Sequence, residues 1–91
     1  MNKIDIYDKA IITFSPLKQV LKAVEELSEL QKELIKWALD DNNKNENYIA
    51  EEMADVYIIL EQLEIIFNNK KDIEVFKDYK LNKLKERLNK L

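Results

Sequence analysis

Residues 15–38, SPLKQVLKAVEELSELQKELIKWA, decide the fold. A serine followed by proline starts a helix, because the hydroxyl caps free backbone N–H groups and the proline ring fixes φ where the first turn needs it. Beyond that signal Leu17, Val20, Leu21, Val24, Leu27, Leu34, Ile35 and Ala38 recur at three- and four-residue steps. They trace one face of a helix that should run to about Leu39.

Working outward, Ile4, Ile6, Tyr7, Ile11, Ile12 and Phe14 read as a shorter helix ahead of Ser15. The run Asp40-Asp41-Asn42-Asn43-Lys44-Asn45 is polar and turn-prone and should join two antiparallel helices. A third helix is expected from about Glu46 to Phe67, with Ile49, Met53, Val56, Ile59, Leu60, Leu63 and Ile66 as its apolar face, ending at Asn68-Asn69. From about Asp72 a last helix carries Leu81, Leu84, Leu88 and Leu91 at heptad-like steps, beside a cationic stripe of Lys80, Lys83, Arg87 and Lys90. The 91 residues contain no glycine, one proline and 36% charged side chains, which fits an all-α, antiparallel four-helix bundle-like domain spanning residues 1–91. A chain this short builds a modest core, so helix faces are expected to be completed by further copies in a homodimer or homotetramer.

The composition also removes whole classes of chemistry. Without glycine there is neither a P-loop nor a dinucleotide fingerprint. Without cysteine or histidine there is no thiol nucleophile, no Ser-His triad, no zinc site of the usual kind and no Glu-x-x-His di-iron pair. Carboxylates, Lys, Arg, Tyr and Ser are left to carry any reaction. No apolar run approaches the length of a membrane span and the N-terminus lacks a signal-peptide pattern, so a cytoplasmic protein is expected, with no membrane partner. The net charge of −3 is unevenly spread: residues 25–69 hold twelve acids against three lysines, whereas residues 70–91 hold eight bases against four acids. An acidic middle with a basic tail suits a metal and an anion better than nucleic acid, which favours a dominant basic face.

The acids have a pattern. Glu25, Glu26 and Glu29 read E-E-x-x-E, and Glu52 and Asp55 read E-x-x-D after a spacer covering positions 30–51. Three-residue spacing puts Glu26 with Glu29, and Glu52 with Asp55, on shared helical faces. If the two helices pair, four carboxylates meet and repel, and a divalent cation reverses the sign of that interaction. Magnesium suits such a set, since it takes octahedral oxygen ligands from a few carboxylates, phosphates and waters. Glutamates on amphipathic helices are commonly just solvated. Here, however, they are interleaved with Val24, Leu27, Leu30, Met53 and Val56, and Asp55 sits deep inside a helix despite its poor propensity.

Glu25-Glu26-Leu27-Ser28-Glu29-Leu30 followed by Glu52-Met53-Ala54-Asp55-Val56 resembles the signature of the MazG-like all-α nucleoside triphosphate pyrophosphohydrolases, relatives of dimeric dUTPases and dCTP pyrophosphatases. Asn82-Lys83-x-x-x-Arg87 is similar to the family's final-helix phosphate-binding pattern. The resemblance spans roughly residues 15–90. It implies that Glu26, Glu29, Glu52 and Asp55 bind Mg2+, for which Mn2+ could substitute, and that Lys83 and Arg87, with Lys80 beside them, grip the triphosphate. It further implies hydrolysis of a nucleoside triphosphate to the monophosphate and pyrophosphate, with Glu29 or Glu25 taking the proton from the attacking water. Trp37 could stack a base or pack in the core or an interface, Gln19 could read a base edge, and Tyr57 stands in the same position. The competing readings are a non-catalytic helical assembly, in which acids and bases form surface ion pairs, and a nucleotide sensor that binds without hydrolysis.

Overall fold

A computed structural model describes residues 1–40 and 44–91. Four helices follow one another: α1 Lys3–Phe14, α2 Pro16–Leu39, α3 Glu46–Phe67 and α4 Lys70–Asn89. The class is all-α and bundle-like, with no strand among the described residues. The expected bounds of α2 and α3 coincide with those observed, and α4 begins two residues earlier than its apolar pattern suggests. Of the connecting run proposed between α2 and α3, positions 41–43 lie outside the described residues.

Local chemistry explains the boundaries. Asn2 and Asp5 form a reciprocal capping box on α1, the Asp5 N–H donating to Asn2 Oδ1 at 2.9 Å. Ser15 ends α1 and starts α2: its N–H donates to the Ile11 carbonyl, and its Oγ accepts from the Lys18 N–H at 3.2 Å. It does so at φ 87 and ψ 150, a region that costs a residue with a Cβ about 1–3 kcal/mol. Asn68 closes α3 in the left-handed conformation that asparagine tolerates, and the Asn69 N–H reaches back to the Glu64 carbonyl at 3.3 Å.

The centre of the molecule is the antiparallel α2/α3 pair, with α1 laid against both helices. Tyr7 fastens α1: it is buried, its hydroxyl donates to Glu61 Oε1 at 3.1 Å, and Lys3 Nζ holds the other oxygen of that carboxylate at 2.7 Å. The face that α2 turns toward α3 differs from the one its apolar periodicity marks. Gln19, Ala23, Glu26, Leu30 and Glu33 are its buried or half-buried positions along the seam; of the expected apolar face Val20 is half-buried, whereas Leu17, Leu21, Val24, Leu27, Leu34, Ile35 and Ala38 are exposed. On α3 the matching stripe runs through Ile49, Glu52, Val56, Ile59, Gln62 and Ile66, leaving Met53, Tyr57 and Leu60 outside. The register is legible in the polar partners: Gln19 faces Gln62, Glu26 faces Glu52 and Asp55, and Glu33 faces Asn45.

Helix α4 makes at most marginal contact with α1, α2 or α3, and none of its residues is buried. The consequence shows in the dimensions. The radius of gyration is 16.5 Å, against about 12 Å for a compact domain of this length. The accessible surface is 7697 Å2, against about 5,600 Å2 for a compact monomer of 10.9 kDa.

Candidate metal centre

The α2/α3 seam brings Glu26, Glu52 and Asp55 together, so that each offers one carboxylate oxygen within 4.8 Å of the others. Helical spacing places Glu52 and Asp55 one turn apart on α3, and the antiparallel register carries Glu26 to the same level from α2. The three are not equally exposed. Glu26 keeps 13% of its side-chain surface in water, Glu52 is half-buried and Asp55 is open to solvent.

Two of the five acids of the sequence motif stand outside this trio. Glu29 is exposed, though near enough for its charge to act on Glu52. Glu25 keeps 62% of its side-chain surface exposed and lies 3.8 Å from Lys22 Nζ. The remaining positions singled out from sequence are elsewhere. Lys80, Lys83 and Arg87 are exposed on α4, where Lys83 Nζ lies 3.9 Å from Glu86 and 5.5 Å from the Tyr79 ring centre. Trp37 is exposed near the end of α2, and Tyr57 is exposed on α3. Gln19 is buried, its Nε2 donating to Gln62 Oε1 at 2.7 Å. It also borders a cleft of about 400 Å3 together with Phe14, Lys18, Leu21, Lys22 and Glu25.

Electrostatics at the seam are unfavourable to negative charge. Burial pushes the Glu52 carboxyl above the ordinary glutamate range, and the charges of Asp55, Glu26, Glu29 and Glu51 push it further in the same direction. Glu52 Oε2 is sealed from solvent with no hydrogen-bond partner. A buried acceptor without a donor is costly, and a donor, a water or a cation at this oxygen would satisfy it.

The residues fit such an ion. All three donors are carboxylate oxygens, the ligand class of Mg2+, and ligands at 2.0–2.1 Å from one ion lie at most about 4.2 Å apart. The trio's oxygens, within 4.8 Å of one another, stand close to that limit, and Asp55 faces solvent.

Motif reading missed Lys22, whose Nζ lies 3.2 Å from Glu26 Oε1. Hydrogen bonding to Glu26, then the charges of Glu25, Glu26 and Asp55, hold its ammonium above the usual lysine range. Its i,i+3 and i,i+4 spacing from Glu25 and Glu26 was available as a signal. It also missed Asn45, which is buried and donates from Nδ2 to Glu33 Oε2 at 2.6 Å and to the Glu33 carbonyl at 3.0 Å. No spacing rule points to that contact, because it crosses the α2–α3 connection. Comparison of the chain with protein-family models, curated proteins and solved structures finds no match. Among the described residues no helix is long and apolar enough to cross a membrane.

Proposed function

We propose that this chain is a MazG-like, magnesium-dependent nucleoside triphosphate pyrophosphohydrolase. The observation that carries the reading is the convergence of Glu26, Glu52 and Asp55 at a seam where one carboxylate oxygen is buried without a donor. It is supported by the resemblance of E-E-x-x-E and E-x-x-D to that family's signature. Glu26, Glu52 and Asp55 would hold the ion, and Glu29 would complete the set by turning inward. When bound, a divalent cation supplies charge neutralisation for phosphate oxygens and acidifies water. The chain's own residues supply the rest. Glu25 or Glu29, both solvent-facing, takes a proton from the attacking water, and Lys83 and Arg87, with Lys80, stabilise charge on the departing pyrophosphate.

Those cations sit on a helix that does not pack along the α2/α3 seam of its own chain. The reading therefore includes self-association, in which α4 of one copy lies beside the carboxylates of another. The unburied α4, the excess accessible surface and the opposite charges of the two regions support it.

The test is pyrophosphate release from a panel of NTPs and dNTPs, with magnesium and with chelator, for wild type and Glu52→Gln. Metal-dependent release from the wild type, lost in a folded Glu52→Gln variant, is the expected outcome. Tight nucleotide binding with no pyrophosphate would favour a sensor instead, since the cations and carboxylates lie on separate parts of one chain.

A further inference from the structure

Lys22 is the cation that the structure places on the carboxylate cluster. Its Nζ is 3.2 Å from Glu26 Oε1 and 3.8 Å from Glu25 Oε1, and half of its side-chain surface is in water. Glu26 is largely shielded and faces Glu52 and Asp55 across the seam, so Lys22 offsets the trio's charge from the α2 side. A divalent ion drawn to the same trio competes with this ammonium, because two cations repel at such separations. Lys22 has somewhere to go. It also lines the cleft shared with Phe14, Lys18, Gln19, Leu21 and Glu25.

We propose that Lys22 is a resident counter-ion of the metal centre, pairing with Glu26 in the metal-free protein and released toward the neighbouring cleft when a divalent cation binds. This rests on the metal-site reading above and adds to it a built-in setting of metal affinity. The empty site is kept from full like-charge repulsion, at the expense of weaker binding of the ion. A merely decorative surface pair on α2 has no such coupling, since solvated pairs contribute little and are readily exchanged for water.

The experiment is titration of the full chain with MnCl2, following free Mn2+ by electron paramagnetic resonance, for wild type, Lys22→Met, Lys22→Gln, Lys9→Met and Glu52→Gln. Circular dichroism checks that each variant is folded. Lys9, exposed on α1, controls for loss of one positive charge away from the seam. Both Lys22 variants are expected to bind Mn2+ about tenfold more tightly than wild type, as befits removal of one charge a few ångströms from the ion, with Lys9→Met changed by less than about twofold because distant exposed charges are screened. In chelator, Lys22→Met is expected to melt below wild type, and added MnCl2 should close the gap. Two Lys22 variants that bind Mn2+ no more tightly than wild type, while Glu52→Gln abolishes binding, overturn the counter-ion role and leave the metal site standing. Lys22→Met melting with wild type in chelator also counts against it. Absence of Glu52-dependent Mn2+ binding in every protein overturns both.

Discussion

Asn45 shows how one residue joins two helices that the chain separates. Its amide donates to both the carboxylate and the backbone carbonyl of Glu33, tying the start of α3 to the last turns of α2. The Asn45 hydrogen bond is the main reason that the Glu33 carboxyl lies below its ordinary 4.5, with the charge of Lys36 adding to it against the cost of burial. A carboxyl held low in the folded state contributes stability that is present above the unfolded value of 4.5 and lost as pH falls through the lowered folded value. Glu61 acts in the same direction, held low chiefly by its bond to Lys3. Acid should therefore loosen the α2/α3 pair at Asn45 and the hold of α1 on α3 at Glu61. Asn45→Ala is expected to lower the urea midpoint at neutral pH and to flatten the fall in stability below about pH 4.5, where the wild type is still losing the Glu33 contribution. Urea titrations at a series of pH values read both effects, and parallel curves for the two proteins would refute the assignment of the shift to Asn45.

At the scale of the helices, what could be read in advance divides cleanly. Helix limits were legible because their signals are local: Ser15-Pro16 opens α2, and Asn68, tolerant of the left-handed conformation, closes α3. The acidic trio was legible too, since helical spacing and antiparallel order are enough to bring Glu26 to Glu52 and Asp55. Glu29 was expected with them, but it is exposed and lies outside the trio, though its charge still acts on Glu52. The face that α2 turns to α3 was not legible. Periodicity selects the most apolar stripe, Leu17 to Ile35, whereas the seam is built on a mixed stripe with amides at its ends and carboxylates in its middle. Gln19 and Gln62 make one such layer, and a buried amide pair favours the register in which both are satisfied. Gln19→Leu or Gln62→Leu alone should cost about 1–3 kcal/mol by stranding the other amide, and the double variant should cost clearly less than the sum. Chemical denaturation of the four proteins of the cycle measures the coupling, and additive effects would mean that the amides stabilise independently.

For the molecule as a whole, a single chain leaves too much unfinished. Its surface exceeds that of a compact monomer of the same mass by about 2,000 Å2, an area comparable with what specific protein interfaces cover. The excess is apolar where it matters: Leu21, Val24, Leu27, Leu34 and Ile35 on α2, and Phe76, Leu84, Leu88 and Leu91 at the far end of the chain. Most of a helix's stability in a protein comes from packing its apolar face, and α4 packs none of its residues into the core of its own chain. In the self-association proposed above, the acidic α2/α3 unit of another copy would cover its 20 residues, matching their excess of lysine and arginine. A charge in the leucine seam should break this arrangement without touching the α2/α3 pair. Leu84→Lys is therefore expected to lower the mass in solution toward the 10.9 kDa of one chain and to reduce helical circular dichroism by an amount matching α4 alone. If Lys83 and Arg87 act on a neighbour's carboxylates, the same variant should lose nucleotide turnover while retaining Glu52-dependent Mn2+ binding, because Glu26, Glu52 and Asp55 all come from one chain. Light scattering, circular dichroism and metal titration on one preparation separate these effects. An unchanged mass and spectrum would show that α4 is held by something other than its leucine seam.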